Sequence, residues 1–342
     1  MTTGTASLEP AAALRLCSAA LVNNRTTPEI ADQVASALVA AEVDEQRGHG
    51  LARVAAYAAQ ARSGKVDGSA QPTATRSRPG FIDVDARLGF AYPALALARE
   101  QVAHAAHANG TACAAVRQSH HCGVLGHQVE ALADVGLVAL MVANAPKAIA
   151  PWGGHAPFFG TNPIAFAAPR AGGAPLVIDL ALSKVARGKV MAAAKTGASI
   201  PSDWAVDASG APTTDPNAAL QGAMLAVGGA KGAALALIVE VLAGALAGPH
   251  FSFEASDFFA ADGSPPALGQ VLIAIQAGSS VAERIDTLLS SMAEQEGTRI
   301  PGERRLAARA RAHRDGLSIP ISLLEEITVL AEAPRSQPAT GT

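Results

Sequence analysis

The stretch from Arg117 to Arg170 does most to limit what this chain can fold into. An apolar run at 112–116 leads into it and Leu137–Ala143 forms a second one; both read as strands. The residues between them read as a helix, and Gly123 and Gly126 loosen the turn into it. Adjacent histidines, His120 and His121, follow the first strand. After the second come two Gly/Pro-rich loops, Pro151-Trp152-Gly153-Gly154 and Gly160-Thr161-Asn162-Pro163. Loops of this kind let backbone approach a ligand closely, and here they sit where regular elements end.

At 342 residues the chain exceeds the usual size of one domain, so two intimate subdomains are expected. It is 49% hydrophobic and 16% charged, ample for a core, and alanine supplies much of the apolar share. The net charge of −3 points to neither nucleic acid nor an anionic membrane. Cys17, Cys113 and Cys122 make no zinc spacing and no disulfide framework, which fits a reducing cytoplasm. No basic region precedes the first apolar stretch, and Arg15 interrupts it, so a secretory leader is not expected. The most apolar run, 233–248, is short for a membrane span and carries Glu240. It reads as a buried helix, with Gly244 and Gly248 for close helix packing.

Along the chain, Ser7 reads as the cap of a first helix with Pro10 in its first turn. Thr27-Pro28-Glu29 signals a second start: a cap, proline at the first position, an acid near the positive end. A helix is expected at 54–63, a boundary loop at 69–80 and a strand at 81–86. Tyr92 and Pro93 open a helix that Asn109-Gly110 ends. Strands are expected at Leu176–Leu180 and 271–275, and helices at 184–195, 281–296 and 322–331. His104 and His107 lie one helical turn apart without a local acid or thiol, so they read as surface residues rather than metal ligands.

No G-x-G-x-x-G follows a strand and no G-x-x-x-x-G-K-[ST] occurs, which rejects a standard dinucleotide fold and a P-loop. Gly228-Gly229-Ala230-Lys231-Gly232 stands directly before the long apolar helix. It is either a phosphate cradle of backbone amides and helix dipole or a plain tight turn. Arg299, Arg304 and Arg305 cluster at another helix start and alone would be a solvated face. His49 and Arg53, four residues apart, share a face if a helix begins near Gly48. Histidine suits proton exchange near neutral pH, and arginine can grip a carboxylate with two bonds. The bland alternative is a surface histidine beside a helix-start arginine.

The patterns S-x-H-x-G (Ser119, His121, Gly123), A-P-W-G-G (Ala150, Pro151, Trp152, Gly153, Gly154) and G-T-N-P (Gly160, Thr161, Asn162, Pro163) resemble the malate/L-lactate dehydrogenase type 2 family. The similarity runs from about Thr27 to Pro320. It implies an α/β (α+β) fold: a non-Rossmann NAD(P)-binding domain with a mixed, largely antiparallel sheet, inserted into a helical domain. On this chain that places helical parts at 1–75 and 226–331 and the cofactor domain at 76–225, while the Pro/Ser/Thr composition of 332–342 reads as a disordered tail. It also implies a homodimer. His121, Cys122, Gly123, Val124 and Leu125 would line the cofactor, with Asp179, Leu180 and Ala181 of the D-[LM]-[AS] segment. Ala230 and Lys231 of G-G-x-K-G would contact it, and Arg299, Gly302, Glu303 and Arg304 of R-x-P-G-E-R-R would close over it. Arginines there, Arg305 included, suit a 2′-phosphate and so favour NADPH over NADH. The family's S-H-G-x-x-R is matched by His49, Gly50 and Arg53, with Gly48 in place of the serine. His49 would be the proton donor, Arg53 the carboxylate grip and His121 the rival acid or base. Thr161, by its match to G-T-N-P, would hydrogen-bond the ligand. Apart from the resemblance, Lys147 could stabilise a developing negative charge at the substrate, though a lone loop lysine is usually solvated.

Within the family, Ser63-Gly64-Lys65-Val66-Asp67-Gly68 and Phe253-Glu254-Ala255-Ser256 most resemble the Δ1-piperidine-2-carboxylate/Δ1-pyrroline-2-carboxylate reductases. The resemblance therefore implies NADPH-dependent reduction of a cyclic 2-imino acid to L-pipecolate or L-proline. An NAD(P)-dependent 2-hydroxy-acid dehydrogenase of malate, lactate or ureidoglycolate type is the alternative. Two others are a metal-dependent hydrolase, which would need acids or thiols at metal spacing, and a silent binding protein, which Gly48 keeps open.

Overall fold

The computed structural model describes residues 4–248 and 250–334. Its first elements are β1 (Thr5–Leu8), α1 (Pro10–Val22), α2 (Pro28–Val43), α3 (Val54–Ser63), β2 (Thr73–Arg78), β3 (Phe81–Asp85), α4 (Ala91–Asn109), β4 (Thr111–Ser119) and α5 (Leu125–Ala133). Then come β5 (Leu137–Ala143), β6 (Ile164–Ala168), β7 (Leu176–Leu180), α6 (Arg187–Thr196), β8 (Ala205–Val206), α7 (Pro216–Gln221) and β9 (Ala223–Met224). The last are α8 (Ala230–Val239), β10 (Leu268–Gln276), α9 (Val281–Ala293), α10 (Glu303–Asp315), β11 (Leu317–Pro320) and α11 (Ile321–Glu332).

Seven strands form one sheet in the order β2-β3-β4-β10-β5-β6-β7. Strands β3 and β4 pair in parallel, and every other neighbouring pair is antiparallel. The sheet is thus mixed and largely antiparallel, as the family resemblance implies. Strand β10 separates β4 from β5, with Val271 opposite Ala115 on one side and Val142 on the other. It contains the strand expected at 271–275, within the 226–331 part assigned to the helical domain, and forms the middle of the sheet.

Helices α4 and α5 cover one face of the sheet, where Leu95, Val102 and Leu125 pack with Val116, Met141 and Leu272. Val190 of α6 and Val239 of α8 lie with Ala115, Val142 and Val271 on the other. Strands buried on both faces read as apolar runs rather than alternations, which is why β5 and β10 are legible in the sequence. A third core is helical and joins the two ends of the chain: Leu21, Leu38 and Tyr57 pack with Ile319 and Ile327.

Several expected start signals use other chemistry. Ser7 lies in β1, and its hydroxyl donates to the Asp315 carbonyl at 3.0 Å instead of capping α1. Helix α2 starts at Pro28 as expected, but Thr27 makes no side-chain cap bond. Helix α4 ends at Gly110 in the left-handed region, as expected. The supposed boundary loop 69–80 contains β2, an edge strand exposed throughout, so it lacks the apolar alternation that marks a strand. Helix α6 begins at Arg187 rather than Lys184.

The apolar run read as a buried helix is buried on one side only. Helix α8 continues as a π-helical segment, Glu240–Ala247, and Leu235, Ile238, Val241 and Leu246 are exposed. By length and composition Ala230–Ala247 is sufficient to cross a membrane, yet 44% of it is buried within the protein. Gly244 approaches Phe251 and Gly248 approaches Gly269, so these glycines serve loop and strand contacts rather than helix packing. From 335 on, the tail expected to be disordered lies outside the described residues.

Candidate active site

Two short 3-10 turns, Arg47–His49 and Leu51–Arg53, connect α2 to α3. Gly50 breaks the backbone between them at φ −95°, ψ −140°. His49 and Arg53 therefore do not share a helix face, as the four-residue spacing suggested. The break is enforced by Glu42, buried at the end of α2, whose Oε2 accepts from the Leu51 amide at 2.9 Å. A Cβ on Gly50 would lie 2.3 Å from that oxygen, so the close approach needs glycine.

The face that matters is Arg53, Tyr57 and Gln60, spaced by four and three residues at the start of α3 and along it. The Tyr57 hydroxyl is 2.5 Å from His121 Nδ1, and Gln60 Oε1 is 2.9 Å from His120 Nε2. His121 Nε2 in turn is 3.2 Å from His49 Nδ1, with the two ring planes within 11°. The two histidines expected to be rivals thus form one pair. The turn after β4 supplies His120 and His121, and α4 supplies Tyr92, whose hydroxyl is 3.2 Å from that of Tyr57.

A loop before β10 closes over the pair. Gln60 donates to the carbonyls of Phe258 and Ala260, Lys65 to those of Asp257 and Ala260, and Ser63 to that of Ala261. The motif Ser63-Gly64-Lys65 therefore anchors this loop. The Phe258 ring lies 4.8 Å from that of His121, and the Arg53 guanidinium stacks 4.5 Å over Phe259. Arg53 Nε donates to the Gly48 carbonyl at 2.7 Å, while its buried Nη1 has no hydrogen-bond partner among the described residues.

Electrostatics keep the histidines and tyrosines of this group neutral beside the charged Arg53 and Lys65. Burial, then the Arg53 charge, lowers His49 from its ordinary value to about 4. Burial, then Lys65 and Arg53, takes His120 to about 3. His121 falls well below its ordinary value, first by burial and then by Arg53. Burial raises Tyr57 to about 12. The Cys122 thiol, in the same turn, is also raised to about 12 by burial, which makes it inert.

The residues expected at a cofactor meet on the far side of the same turn. Gly123 takes φ 66°, and a Cβ there would lie 2.7 Å from the Tyr92 hydroxyl. Val124 and Leu125 lead into α5, where the Gly126 amide donates to Asp179 Oδ2 at 2.7 Å. Asp179 is exposed at the end of β7, and the protein packed around its carboxyl raises it above its ordinary value. Leu180 is exposed beside it. Backbone bonds from Leu182 N to Thr161 O and from Val227 N to Leu182 O, both 2.8 Å, tie three motifs together. They bring Thr161, the Asp179-Leu180-Ala181 segment and the Gly228-to-Gly232 turn side by side. In that turn Gly228 and Gly229 have φ of 63° and 61°, and Ala230 and Lys231 open α8 with exposed surface. Gly232 serves packing, since a Cβ would lie 1.7 Å from the Val227 carbonyl. Gly302, φ 94°, lies near the Val177 carbonyl of β7, which places the loop of Arg299, Glu303 and Arg304 beside the same strand.

Arg305 is a correction. Expected with the phosphate-binding arginines, it is instead bonded to Glu130 at 2.6 and 3.0 Å, and Arg309 joins Glu130 to Asp44. Burial would raise Asp44, but hydrogen bonds from His127 and Arg309 outweigh it and hold the carboxyl well below its ordinary range. Lys147 is exposed, its amide bound to the Ser252 carbonyl. Asn162 of G-T-N-P is structural: buried, it donates to Glu240 Oε2 at 2.9 Å. Among the described residues no three His, Cys, Asp or Glu side chains group as a metal site. Sequence reading missed Tyr57, Gln60, Tyr92, Phe258 and Phe259; the Arg53-Tyr57-Gln60 spacing was the available signal.

Comparison with known proteins agrees with the motifs. The family model described as malate/L-lactate dehydrogenase matches residues 8–328. A (2R)-3-sulfolactate dehydrogenase (NADP(+)) of Chromohalobacter salexigens is 49% identical over 304 residues, covering 88% of this chain and 91% of that protein. A Delta(1)-pyrroline-2-carboxylate/Delta(1)-piperideine-2-carboxylate reductase of Pseudomonas aeruginosa is 44% identical, covering 87% and 91%. The crystal structure of delta1-piperideine-2-carboxylate reductase from Pseudomonas syringae superposes with a TM-score of 0.90 at 40% identity, covering 95% of this chain and 100% of that one. With the motifs, the fold and these relatives in agreement, the chain belongs to the malate/L-lactate dehydrogenase family of oxidoreductases.

Proposed function

We propose that this enzyme uses NADPH to reduce a cyclic 2-imino acid, Δ1-pyrroline-2-carboxylate or Δ1-piperideine-2-carboxylate, to L-proline or L-pipecolate. The observation that carries the reading is the buried, unpartnered Nη1 of Arg53, adjoining His49. A buried donor left unpaired costs about 1–3 kcal/mol, and more when charged. A substrate carboxylate satisfies it through charge-assisted bonds. Phe259 under Arg53 and Phe258 against His121 give the position apolar walls. Ring methylenes suit those walls better than a second charged group does. His49 exchanges the proton at the substrate's heteroatom, and holding C2 and that heteroatom in place supplies much of the rate. Thr161 and Lys147 are kept as polar groups at the substrate end.

The residues present fit a dinucleotide. Gly228 and Gly229, both at positive φ before α8, make a cradle of amides that any Cβ would strain. The exposed Arg299 and Arg304 fit a 2′-phosphate, hence NADPH. When bound, the nicotinamide supplies the hydride.

A second reading has a specific support: the 49% identical relative is named for a 2-hydroxy acid, (2R)-3-sulfolactate. The test sets NADPH with each cyclic imine against NADP+ with (2R)-3-sulfolactate, malate and L-lactate. Fast turnover of an imine supports the reductase. Turnover of a hydroxy acid with no activity on either imine overturns it in favour of the dehydrogenase.

A further inference from the structure

We infer that Tyr57 and Tyr92 are positioning residues that hold His121 and His49 each in the Nε2–H tautomer, so that His49 presents a hydrogen-bond donor to the substrate. The donor's target rests on the proposed function; the tautomers do not.

Four groups form an unbranched chain: Tyr92 hydroxyl, Tyr57 hydroxyl, His121 and His49. The links are 3.2 Å, 2.5 Å from Tyr57 to His121 Nδ1, and 3.2 Å from His121 Nε2 to His49 Nδ1. Each link needs one donor and one acceptor, and each phenol or neutral imidazole has a single proton, so if no buried proton is stranded the direction of one link sets all three. The end decides it. Among the described residues the buried Tyr92 hydroxyl has Tyr57 as its partner, and stranding that proton costs about 1–3 kcal/mol. Tyr92 therefore donates to Tyr57. Tyr57, having accepted, gives its single proton to His121 Nδ1. A neutral His121 then carries its proton on Nε2 and donates to His49 Nδ1. A neutral His49 is left with its proton on Nε2, the outer end of the chain. The opposite direction leaves Tyr92 O–H without an acceptor and turns His49 into an acceptor.

Burial lowers both histidines and raises both phenols, so every member stays uncharged near neutral pH. The phenols orient; they do not ionise. The edge-on contact of Phe258 with His121, at 4.8 Å, and the close approach of Gly123 to Tyr92 hold these two members in place. This arrangement also answers the loss of the family serine at position 48: a Cβ on Gly48 would meet nothing within 4 Å, and His49 takes its orientation from His121 instead.

The test is nitrogen NMR of the full-length protein with labelled histidine, near neutral pH, with His49→Gln and His121→Gln identifying the signals. Both residues are expected as neutral Nε2–H tautomers. Tyr57→Phe removes the donor to His121 Nδ1, so both histidines become tautomer mixtures, and kcat falls about tenfold or more while KM moves little. Tyr92→Phe, which removes only the end hydroxyl, shifts the same signals and covers the case in which Tyr57→Phe does not fold. An Nδ1–H tautomer or an imidazolium in the wild type overturns the inference, as do tautomers unchanged in both variants. A wild type with the expected tautomers but no turnover of any imine or hydroxy acid overturns the proposed function and leaves the positioning role standing.

Discussion

His49 Nδ1 lies 3.2 Å from His121 Nε2, although 72 positions separate the two in the chain. Residues joined this way act as a unit, and their losses do not multiply. We predict that His49→Gln and His121→Gln each lower kcat by about a hundredfold or more, the range of a proton-handling group. The double variant should be no worse than the weaker single one. Steady-state kinetics on the four proteins checks this; losses that multiply would mean the histidines work independently.

Three histidines depressed by burial make stability depend on pH. Above their ordinary value of 6.5 they are neutral folded and unfolded, so their full contribution to stability is present. As pH falls from 6.5 toward 4, the unfolded chain takes up protons that His49 and the deeper pair refuse, and stability drops. Tm should already fall steadily between pH 6.5 and about 5, before the unfolded forms of Asp44 and Glu130 begin to take up protons. A Tm flat through the window would show that the histidines are not held neutral.

Gly50→Ala should destabilise the fold by about 1–3 kcal/mol, the usual cost of overpacking. The added methyl would lie 2.3 Å from Glu42 Oε2 and 3.1 Å from the Glu42 amide nitrogen. Because the 3-10 turns on either side carry His49 and Arg53, kcat/KM should fall as well. Urea denaturation and kinetics on one preparation measure both; an unchanged pair would remove Gly50 from the account.

Glu240, buried at the start of the π-helical segment, accepts from Asn162, from both the amide and the hydroxyl of Ser252, and from Asn144. An amide cannot accept all of these. Glu240→Gln is expected to cost about 2–4 kcal/mol by leaving buried donors unpaired. Denaturant midpoints test it, and a change below about 1 kcal/mol would mean the cluster relaxes.

Much of this fold is legible because burial writes itself into sequence. Leu137–Ala143 and Leu176–Leu180 have the bounds that their apolar runs suggest, and Gly110 ends α4 where a left-handed residue is needed. Strand β2 was hidden because an exposed edge needs no apolar face. The insertion of β10 between β4 and β5 joins segments far apart in the chain, which no local pattern encodes. In the site, His49, Arg53 and His121 were visible as chemistry. Their partners, Tyr57 and Phe258, look like ordinary core residues until the fold brings them together. The break at Gly50 follows from a carboxylate on the preceding helix, so the spacing of His49 and Arg53 misled.

The central claim, that Arg53 grips the substrate carboxylate beside His49, is tested most directly by KM for the cyclic imine in Arg53→Lys. Lysine keeps the charge but loses the fork, so KM should rise about ten- to a hundredfold with kcat changed far less. An unchanged KM would contradict the claim and leave the buried guanidinium a structural group stacked on Phe259.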